Sequence, residues 1–228
     1  MKFGKQFWVK KLGAEWTMQL KETLKSPYIE RLMDFLQAEY ALNVVYPPYE
    51  DVFKAFKLCP WDKLKIVIMG QEPHLNGEAN GLSYGDRYAV TFHTAVLGKI
   101  YDCIDREYRP GSFYLDFDFT LEDWAKQGVL LLNTTLTTRE GKLHSHKKPW
   151  KNFISSVLNT INNYKPGTVF ILWGKEAQLL IPYINKNNYI LTCDYPGQYV
   201  DNFKDWHCPN FKEADKILID LYGETINW

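Results

Sequence analysis

The stretch Lys65-Ile-Val-Ile-Met-Gly-Gln-Glu-Pro-His74 decides how the rest of the chain is interpreted. Its apolar run, Ile66 to Met69, is typical of a strand buried on both faces. The run ends at Gly70, after which polar and stiff residues follow. In an open α/β sheet, ligands bind beyond the carboxyl ends of the strands, so Gln71 and Glu72 are candidates for chemistry. The alternative is a plain strand-to-loop turn with a solvated Glu72.

Length and charge set broad limits on the protein. The 228 residues fit one domain, residues 1–228, with a substantial core. The 27 basic and 27 acidic residues give a net charge of zero, so the composition lacks the basic footprint usual in nucleic-acid-binding proteins. A local basic face is still compatible with this balance, and residues 142–151 are the segment best placed to form one.

Targeting signals and cysteine spacing indicate the compartment. No apolar run approaches the length of a membrane span and no signal peptide opens the sequence, so we expect a cytoplasmic protein without membrane association. The four cysteines show neither C-x-x-C spacing nor clustering with histidines, which predicts reduced thiols and no metal site. The sequence is compatible with a bacterial or a viral source; a viral protein would act in the cytoplasm of the host cell.

Apolar runs that alternate with helical patterns predict the fold. Besides Ile66–Met69, buried strands are predicted at 129–132, 168–173 and 189–192. Helices are predicted within 16–42 (two, the second at 28–41) and at 52–57, 97–104, 121–127, 153–163, 176–184 and 212–222, with a proline-set loop at 45–52 and a basic loop at 145–151. Four buried strands alternating with helices indicate a three-layer α/β/α sandwich with a central four-stranded parallel sheet.

The predicted strand ends would converge on one edge of that sheet. Seven segments, in order, carry a resemblance to one family: Val45-Tyr-Pro-Pro-Tyr-Glu-Asp-Val-Phe53, Ile66-Val-Ile-Met-Gly-Gln-Glu-Pro73, Gly81-Leu82, Trp124-Ala-Lys-Gln-Gly-Val-Leu-Leu-Leu-Asn133, Ser145-His-Lys147, Phe170-Ile-Leu-Trp-Gly174 with Ala177-Gln178, and Ile226-Asn-Trp228. In this order and at this spacing they resemble the family-1 uracil-DNA glycosylases, over nearly the whole chain.

The resemblance implies a uracil-DNA glycosylase-like fold and an activity on DNA, single- or double-stranded. Such enzymes turn one deoxyuridine out of the base stack, because its reacting atoms are inaccessible inside a duplex, and hydrolyse the glycosidic bond without metal or cofactor. The transition state resembles an oxocarbenium sugar and a departing uracil anion. It needs a carboxylate near the sugar and hydrogen-bond donors aimed at the base.

The resemblance also implies roles for individual residues. Glu72 would be the catalytic carboxylate, Gln71 would contact the uracil through its backbone, Tyr84 would stack on the base and Asn133 would read its polar edge. DNA phosphates would be approached by Ser145, His146, Lys147, Gly174 and Lys175, and residues 90–93 stand where the family has a proline-rich, DNA-compressing loop. Simpler alternatives are a turn-capping Asn133, a core Tyr84, a solvated His146 and a Gly174 that merely ends its strand.

Two departures fall in the family's Gly-Gln-Asp-Pro-Tyr-His motif, which reads Gly70-Gln-Glu-Pro-His-Leu75 here. Glu72 keeps the charge of the family Asp but adds a methylene, and misplacing a catalytic group by about an ångström can cost on the order of a hundredfold. His74 replaces a Tyr that blocks the 5-position of the base. We hypothesise that the smaller imidazole leaves room for a 5-substituent such as hydroxymethyl; drift at a disused site is the alternative.

Two further departures follow if Asp194-Tyr-Pro-Gly-Gln198 aligns with the family's His-Pro-Ser-Pro-Leu motif. Asp194 would then replace a histidine that donates a hydrogen bond to the uracil oxygen. It could donate only when protonated, which burial or a neighbouring carboxylate such as Glu72 would promote. Gln198 would replace the leucine that fills the gap left by the flipped base, at a higher desolvation cost.

The sequence therefore predicts a monomeric DNA glycosylase that acts on uracil or a 5-modified uracil, with weak or respecialised catalysis. The alternative is a catalytically inactive homologue that serves as a DNA-binding or protein-interaction module, and a protein partner is compatible with either. A Ser or Cys hydrolase is disfavoured, because the sequence shows no nucleophile–His–acid constellation.

Overall fold

The computed structural model describes residues 5–88, 94–108, 117–202 and 204–228. In chain order the strands are β1 Val45–Tyr46, β2 Ile66–Gly70, β3 Val129–Asn133, β4 Thr138–Arg139, β5 Val169–Trp173 and β6 Tyr189–Cys193. The helices are α1 Lys5–Leu12, α2 Ala14–Gln19, α3 Lys21–Leu24, α4 Pro27–Leu42, α5 Lys54–Leu58, α6 Ala95–Tyr108, α7 Glu122–Lys126, α8 Lys147–Tyr164, α9 Gly174–Gln178 and α10 Asn210–Tyr222.

The central sheet has the strand order β3-β2-β5-β6, and all of its neighbouring pairs are parallel. Every residue of β2, β3 and β5 is buried, although successive side chains of a strand point to opposite faces. Both faces of the sheet are therefore covered. The predicted three-layer α/β/α architecture with a four-stranded parallel sheet is confirmed.

The fourth strand differs from the prediction in its burial. β6 lies at the edge of the sheet and is only partly covered, with Tyr189 41% exposed. An apolar run such as Tyr189-Ile-Leu does not by itself distinguish an edge strand from a central one. The prediction that all four strands are buried was wrong for this one.

The start of α8 also differs from the prediction. The helix begins at Lys147, six residues before the predicted 153, so the basic residues Lys148 and Lys151 are helical rather than in a loop. Pro149 is compatible with this start because N–H groups in the first turn have no partner within the helix. The segment Arg109-Pro-Gly111, which the sequence predicts to end the helix at 97–104, lies outside the described residues.

A two-stranded antiparallel sheet, β1 with β4, joins the segment before the central strand to the one after β3. Its pairs are Val45 with Arg139 and Tyr46 with Thr138. The sequence predicted a proline-set loop at 45–52, and strands of two residues leave too short a pattern to be recognised. The pairing matters because it places the buried Thr138 hydroxyl 3.3 Å from a carboxylate oxygen of Glu72, a residue of the cleft described below. Within the described residues, no helix is both long and apolar enough to cross a bilayer.

Candidate active site

A cleft of about 1360 Å³ opens at the carboxyl ends of β2, β3 and β5. Most of the predicted site residues line it: Gln71, Glu72, His74, Tyr84, Asn133, Lys147, Gly174, Lys175 and Gln198. Three of the predicted residues, Asp194, Ser145 and His146, are not among its lining residues. The structure therefore brings together predicted site residues that are far apart in the sequence, such as Gln71 and Gln198, which are separated by 127 positions.

The Glu72 carboxylate lies in the wall of the cleft, with its side chain only 5% exposed. Its Oε2 accepts a hydrogen bond of 2.8 Å from the His144 main-chain N–H. The Thr138 hydroxyl lies 3.3 Å from the same oxygen, but its single proton is shared with the Lys142 carbonyl at 3.0 Å. The His144 N–H is therefore the firm anchor of Oε2.

The other carboxylate oxygen, Glu72 Oε1, has no well-directed hydrogen bond from any residue that the structure describes. The Nδ1 atom of His144 approaches it to 2.8 Å, which is an ion-pair distance, but away from the direction of the ring N–H. One oxygen of the carboxylate is thus anchored, and the other, which is buried, retains unused acceptor capacity.

Ser145 lies outside the cleft and supports the Glu72 carboxylate indirectly, through Thr138 and the turn that carries His144. Its Oγ accepts the Arg139 main-chain N–H at 2.9 Å and shares a hydrogen bond of 3.1 Å with Thr138 Oγ1. Both contacts brace the turn that carries His144. The expected contact of Ser145 with a DNA phosphate is corrected accordingly, because its hydroxyl is committed within the fold.

A buried hydrogen-bond network supports the turn from behind. Two guanidinium nitrogens of Arg139 donate to the two oxygens of Glu39, each at 2.5 Å. His146 Nε2 lies 3.0 Å from the same carboxylate and Nδ1 lies 2.8 Å from Thr137 Oγ1, which accepts the Trp150 indole N–H at 2.7 Å. A neutral His146 with its proton on Nε2 satisfies every one of these groups.

The neighbours of Glu39 and His146 shift the pKa values of both side chains. Hydrogen bonds from Arg139 hold the pKa of Glu39 below its ordinary value, whereas burial lowers the pKa of His146 against the opposing effect of Glu39. His146 is fully buried and its ring packs edge-on against Phe35. It therefore neither contacts DNA phosphates nor sits as a solvated loop residue; both sequence interpretations are corrected.

The ends of β2 and β3 form the floor of the cleft. Gly70 pairs with Asn133 in the sheet register. A Cβ atom at Gly70 would lie 2.0 Å from Ser83 Oγ and 2.3 Å from Asn133 Oδ1, so only glycine fits. Asn133 is 7% exposed, and its side chain hydrogen-bonds to none of the described residues, so its amide is available to a ligand from the cleft.

Ser83 is a cleft residue that the sequence interpretation missed. It is 1% exposed, and its Oγ has no hydrogen-bond partner in the described part of the chain. It follows Gly81-Leu82, one of the segments that carry the family resemblance, and this neighbourhood was the available signal. A buried hydroxyl without a partner, so close to Asn133, is a candidate ligand contact.

Tyr84 forms one side of the cleft. Its ring centroid lies 5.3 Å from that of Trp173, with the planes tilted by 59°, and its hydroxyl is 3.5 Å from the Met69 carbonyl. Burial raises the pKa of the phenol, so it is neutral. The backbone of Tyr84 has a φ of +65°, a left-handed conformation that is uncommon outside glycine and that turns the ring toward the cleft.

His74 lies on the same floor. Its Nε2 is buried and has no hydrogen-bond partner among the described residues. Burial lowers the pKa of the imidazole, so the ring is neutral near pH 7. A neutral imidazole nitrogen can donate or accept, depending on its tautomer. The group is therefore equipped to bind a polar substituent of a ligand.

The segment after β6 requires a correction of one residue. Asp194 is exposed; its carboxylate accepts the Tyr199 hydroxyl at 2.9 Å and its carbonyl accepts the Trp206 indole N–H at 3.0 Å. Tyr195 lines the cleft instead, so close to Gly174 that a Cβ there would lie 2.6 Å from the Tyr195 Cβ. In extended chain a shift of one residue reverses the side chain's direction, so the Asp194 side chain points away from the cleft.

The mouth of the cleft is basic although the chain is neutral overall. Exposed lysines line it from two elements: Lys147, Lys148 and Lys151 from α8, and Lys175 from α9. The sequence predicted a basic face within residues 142–151, which contain three of these lysines, and it assigned phosphate contacts individually to Lys147 and Lys175. Residues 90–93, predicted to face DNA, lie outside the described residues.

Comparison with known proteins shows which family this chain belongs to. The model of the uracil DNA glycosylase superfamily matches residues 56–221. The uracil-DNA glycosylase of Fusobacterium nucleatum is 34% identical over 221 residues, covering 96% of each chain, and that of Proteus mirabilis is 35% identical over 229 residues, covering 97% of this chain and 95% of the relative.

The solved structures support the same fold. The mimivirus uracil-DNA glycosylase superposes with a TM-score of 0.82 at 20% identity, covering 94% of this chain and 86% of its own. A variant of that protein in complex with UGI superposes with a TM-score of 0.77, also at 20% identity, covering 93% of this chain and 86% of its own. At this identity the likeness shows the architecture alone.

Proposed function

Since the chain belongs to the uracil DNA glycosylase superfamily, whose enzymes hydrolyse N-glycosyl bonds, we propose that it excises uracil from DNA with Glu72 as its carboxylate. One observation carries this assignment. The Glu72 side chain is buried and anchored through Oε2, its Oε1 accepts no well-directed hydrogen bond from the described residues, and it lies in the cleft that Asn133 also lines.

Glu72 acts on the sugar. Its negative charge stabilises the positive charge that develops at C1′ as the glycosidic bond breaks, and a low-dielectric wall strengthens that interaction. Oε1 accepts a hydrogen bond from the attacking water and orients it toward C1′. Since Oε2 is already anchored by His144, the carboxylate keeps its direction while the water is bound.

Asn133 acts on the base. An amide offers one acceptor and two donors, which match the N3–H and O4 of uracil when Oδ1 faces N3–H. Cytosine presents the reverse pattern and would face like groups. Because the amide is buried, such a mismatch leaves polar groups unpaired, at roughly 1–3 kcal/mol each.

Tyr84 and Gln71 complete the base pocket. Tyr84, held by Trp173, offers an aromatic surface on which the flipped base stacks, an interaction worth about 1–3 kcal/mol. The carbonyl of Gln71 accepts hydrogen bonds from Thr134 Oγ1 and the Thr135 N–H, which fixes its peptide at the pocket. Its backbone then contacts the uracil from a rigid position.

DNA is held by the mouth of the cleft. Lysines of α8 and Lys175 form a local positive face that attracts phosphates, although the chain has no net charge. Gln198, exposed at the rim, faces the gap left by the flipped nucleotide. We propose a monomer as the active form, because the groups assigned to the sugar, the base and the phosphates line a single cleft.

The pocket also accepts a uracil with a polar 5-substituent such as hydroxymethyl. The support for this is the buried Nε2 of His74, which has no hydrogen-bond partner among the described residues, at the position where the resembling family has a blocking Tyr. A hydroxyl on the substituent would supply the missing partner, and the neutral imidazole can accept or donate it. We therefore assign the discrimination between uracil and 5-substituted uracil to the His74 side chain.

A base-release assay tests the function. Single- and double-stranded oligonucleotides carrying uracil or 5-hydroxymethyluracil are incubated with the wild type, Glu72→Gln and, as a matched control, Glu30→Gln, whose side chain is exposed on α4. We expect release by the wild type and the control and none by Glu72→Gln. Equal release by all three would assign it to a contaminant; no release by any, with DNA binding intact, would favour the inactive DNA-binding homologue.

A further inference from the structure

Two cysteines stand at the ends of the segment that follows β6. Cys193 is the last residue of β6, and Cys208 lies just before the start of α10. Both thiols are free. Between them runs a stretch, residues 194–207, which we call the rim segment because its Tyr195 and Gln198 line the cleft. A bond between the two sulfurs would close the rim segment into a loop.

The backbone on either side of the cysteines is already held together by hydrogen bonds. The Trp206 indole N–H donates to the Asp194 carbonyl at 3.0 Å, and the Asn210 amide donates to the Thr192 carbonyl at 3.2 Å. One of these bonds lies on the inner side of the cysteine pair and the other on its outer side. The two pieces of chain therefore run past each other in opposite directions, with the cysteines between the two bonds.

The sulfur atoms meet within this frame. The Cys193 thiol donates to the His207 carbonyl at 3.3 Å, and that peptide group is the one that joins His207 to Cys208. The Cys208 thiol in turn hydrogen-bonds to Cys193. Because the two thiols are already in contact, we expect a bond between them to need rotation of the side chains and little movement of the backbone.

A third cysteine is close but is directed elsewhere. Cys103, on α6, donates its thiol to the main-chain carbonyl of Cys208 at 3.8 Å. It is therefore turned toward the backbone of Cys208, whereas Cys193 meets the Cys208 sulfur. The geometry thus selects one pair among the three cysteines of this region.

The two paired thiols differ in reactivity. Cys193 is partly exposed, whereas Cys208 is 1% exposed. Hydrogen bonds from the Cys208 thiol and the Asp194 main-chain N–H lower the pKa of Cys193 against the opposing effect of burial, and burial raises the pKa of Cys208. Since the thiolate is the reactive form, Cys193 is the first of the pair to meet an oxidant. Cys59 is fully buried and its pKa is raised to about 12, so it should stay inert.

We propose that Cys193 and Cys208 form a redox modification site, at which a hydroperoxide converts the two thiols into a disulfide that closes the rim segment. With hydrogen peroxide, the Cys193 sulfur attacks one peroxide oxygen, the O–O bond breaks, and a sulfenic acid and one water form. The Cys208 sulfur then attacks the Cys193 sulfur, the S–O bond breaks, and a second water leaves with the Cys208 proton. Both sulfurs are oxidised and the peroxide is reduced.

The disulfide has a structural consequence for the cleft. The thiols meet in the arrangement in which Tyr195 packs against Gly174 and lines the cleft, so the bond fixes the rim segment in that arrangement. Cross-linking the ends of a loop of about 15 residues restricts the unfolded chain and should raise the Tm by roughly 5 °C or more. A reversible bond of this kind is compatible with a cytoplasmic protein, where disulfides are transient and respond to oxidants.

Peptide mapping tests the site in the full-length protein. The protein is treated with hydrogen peroxide, its remaining thiols are alkylated, and its peptides are identified by mass spectrometry. We expect one disulfide-linked pair, Cys193 with Cys208, while Cys59 and Cys103 are alkylated. Cys103→Ser is the matched control and should form the same disulfide. Cys208→Ser should leave Cys193 as a sulfenic acid, which dimedone labels.

Thermal unfolding of the oxidised protein, before and after a dithiol reductant, tests the closure of the rim segment. We expect the Tm to rise on oxidation and to return on reduction, with no such change in Cys208→Ser. A disulfide that involves Cys103, or a Cys193 sulfinic acid beside an alkylated Cys208, would overturn the site. A Cys193–Cys208 disulfide with an unchanged Tm would overturn the closure. None of these readouts depends on the release of uracil, so the proposed function is tested separately.

Discussion

Gly70 and Asn133 are paired across β2 and β3 so closely that a single carbon on Gly70 would lie 2.3 Å from the Asn133 amide oxygen. The same carbon would lie 2.0 Å from Ser83 Oγ. The absence of a side chain at the end of β2 is therefore what allows the amide to reach the base pocket. This relationship leads to the first prediction.

Gly70→Ala should displace the Asn133 amide and slow uracil release on the order of a hundredfold, because a shift of about an ångström suffices for such a loss. Single-turnover release measures it, with circular dichroism to verify folding. Gly223→Ala is the control: a Cβ there meets nothing within 4 Å, and its φ of +73° should cost stability but leave release unchanged. Normal release by Gly70→Ala would contradict the role of Asn133.

His74→Tyr should remove activity on 5-hydroxymethyluracil while leaving activity on uracil within a few-fold of the wild type. The larger ring fills the space beside the 5-position and replaces the buried imidazole nitrogen that is available to a hydroxyl. Competing release from oligonucleotides that carry either base measures the ratio directly. Equal losses on the two bases would show that His74 does not set this specificity.

His146→Gln should lower the free energy of unfolding at pH 7 by about 1–3 kcal/mol, because it leaves buried partners of the ring unpaired. It should also flatten the pH dependence of stability. Burial lowers the folded-state pKa of His146, so its contribution is complete above the unfolded value of about 6.5 and is lost as pH falls through it.

Urea unfolding between pH 5 and 8 measures both effects of His146→Gln. The slope should be reduced rather than abolished, since burial lowers the pKa of His74 as well and acts with the same sign. Below about pH 4.5 the low pKa of Glu39 adds a further loss of stability in the wild type. A slope identical to that of the wild type would mean that the pKa of His146 is the same in the folded and unfolded states, which would contradict this prediction.

Lys147, Lys151 and Lys175, changed together to alanine, should weaken binding of single-stranded DNA and leave the rate at saturation unchanged. Each phosphate contact that is lost reduces the slope of log K against log salt by roughly 0.7 for single strands. Fluorescence anisotropy at several salt concentrations gives this slope. Lys186→Ala, exposed and outside the cleft, should behave as the wild type; an unaltered slope in the triple variant would place the DNA elsewhere.

Asp194→Asn should keep uracil release within about twofold, because the carboxylate faces Tyr199 outside the cleft. Tyr195→Ala should slow release, since it opens the wall beside Gly174. The two variants compared in one assay distinguish the two registers of this segment. A large loss in Asp194→Asn alone would favour the register that the sequence suggested.

The order of apolar runs was enough to predict the sheet, and ordered motifs were enough to predict most of the cleft. Residues at strand ends, such as Glu72 and Asn133, were found because the end of a buried strand is a local signal. The register after β6 was misjudged because Pro196 is the only nearby anchor, and a slip of one residue exchanges inward and outward side chains.

What the sequence could not predict depends on contacts between distant positions. His146 was interpreted as a surface residue because its partner Glu39 lies 107 positions away, and no local pattern announces that pairing. His144 and Thr138 were missed for a similar reason, since their relation to Glu72 arises only when the turn folds against the end of β2.

The buried hydrogen bonds that join Glu39 to Arg139 and His146 determine how far the protein can be truncated. A chain shortened to begin just before β2 would retain every residue that lines the cleft, and an inventory of the site would find it complete. It would lack α4, and with it the carboxylate that Arg139 and His146 share. Helix α4 thus belongs to the enzyme's minimal functional unit although none of its residues lines the cleft.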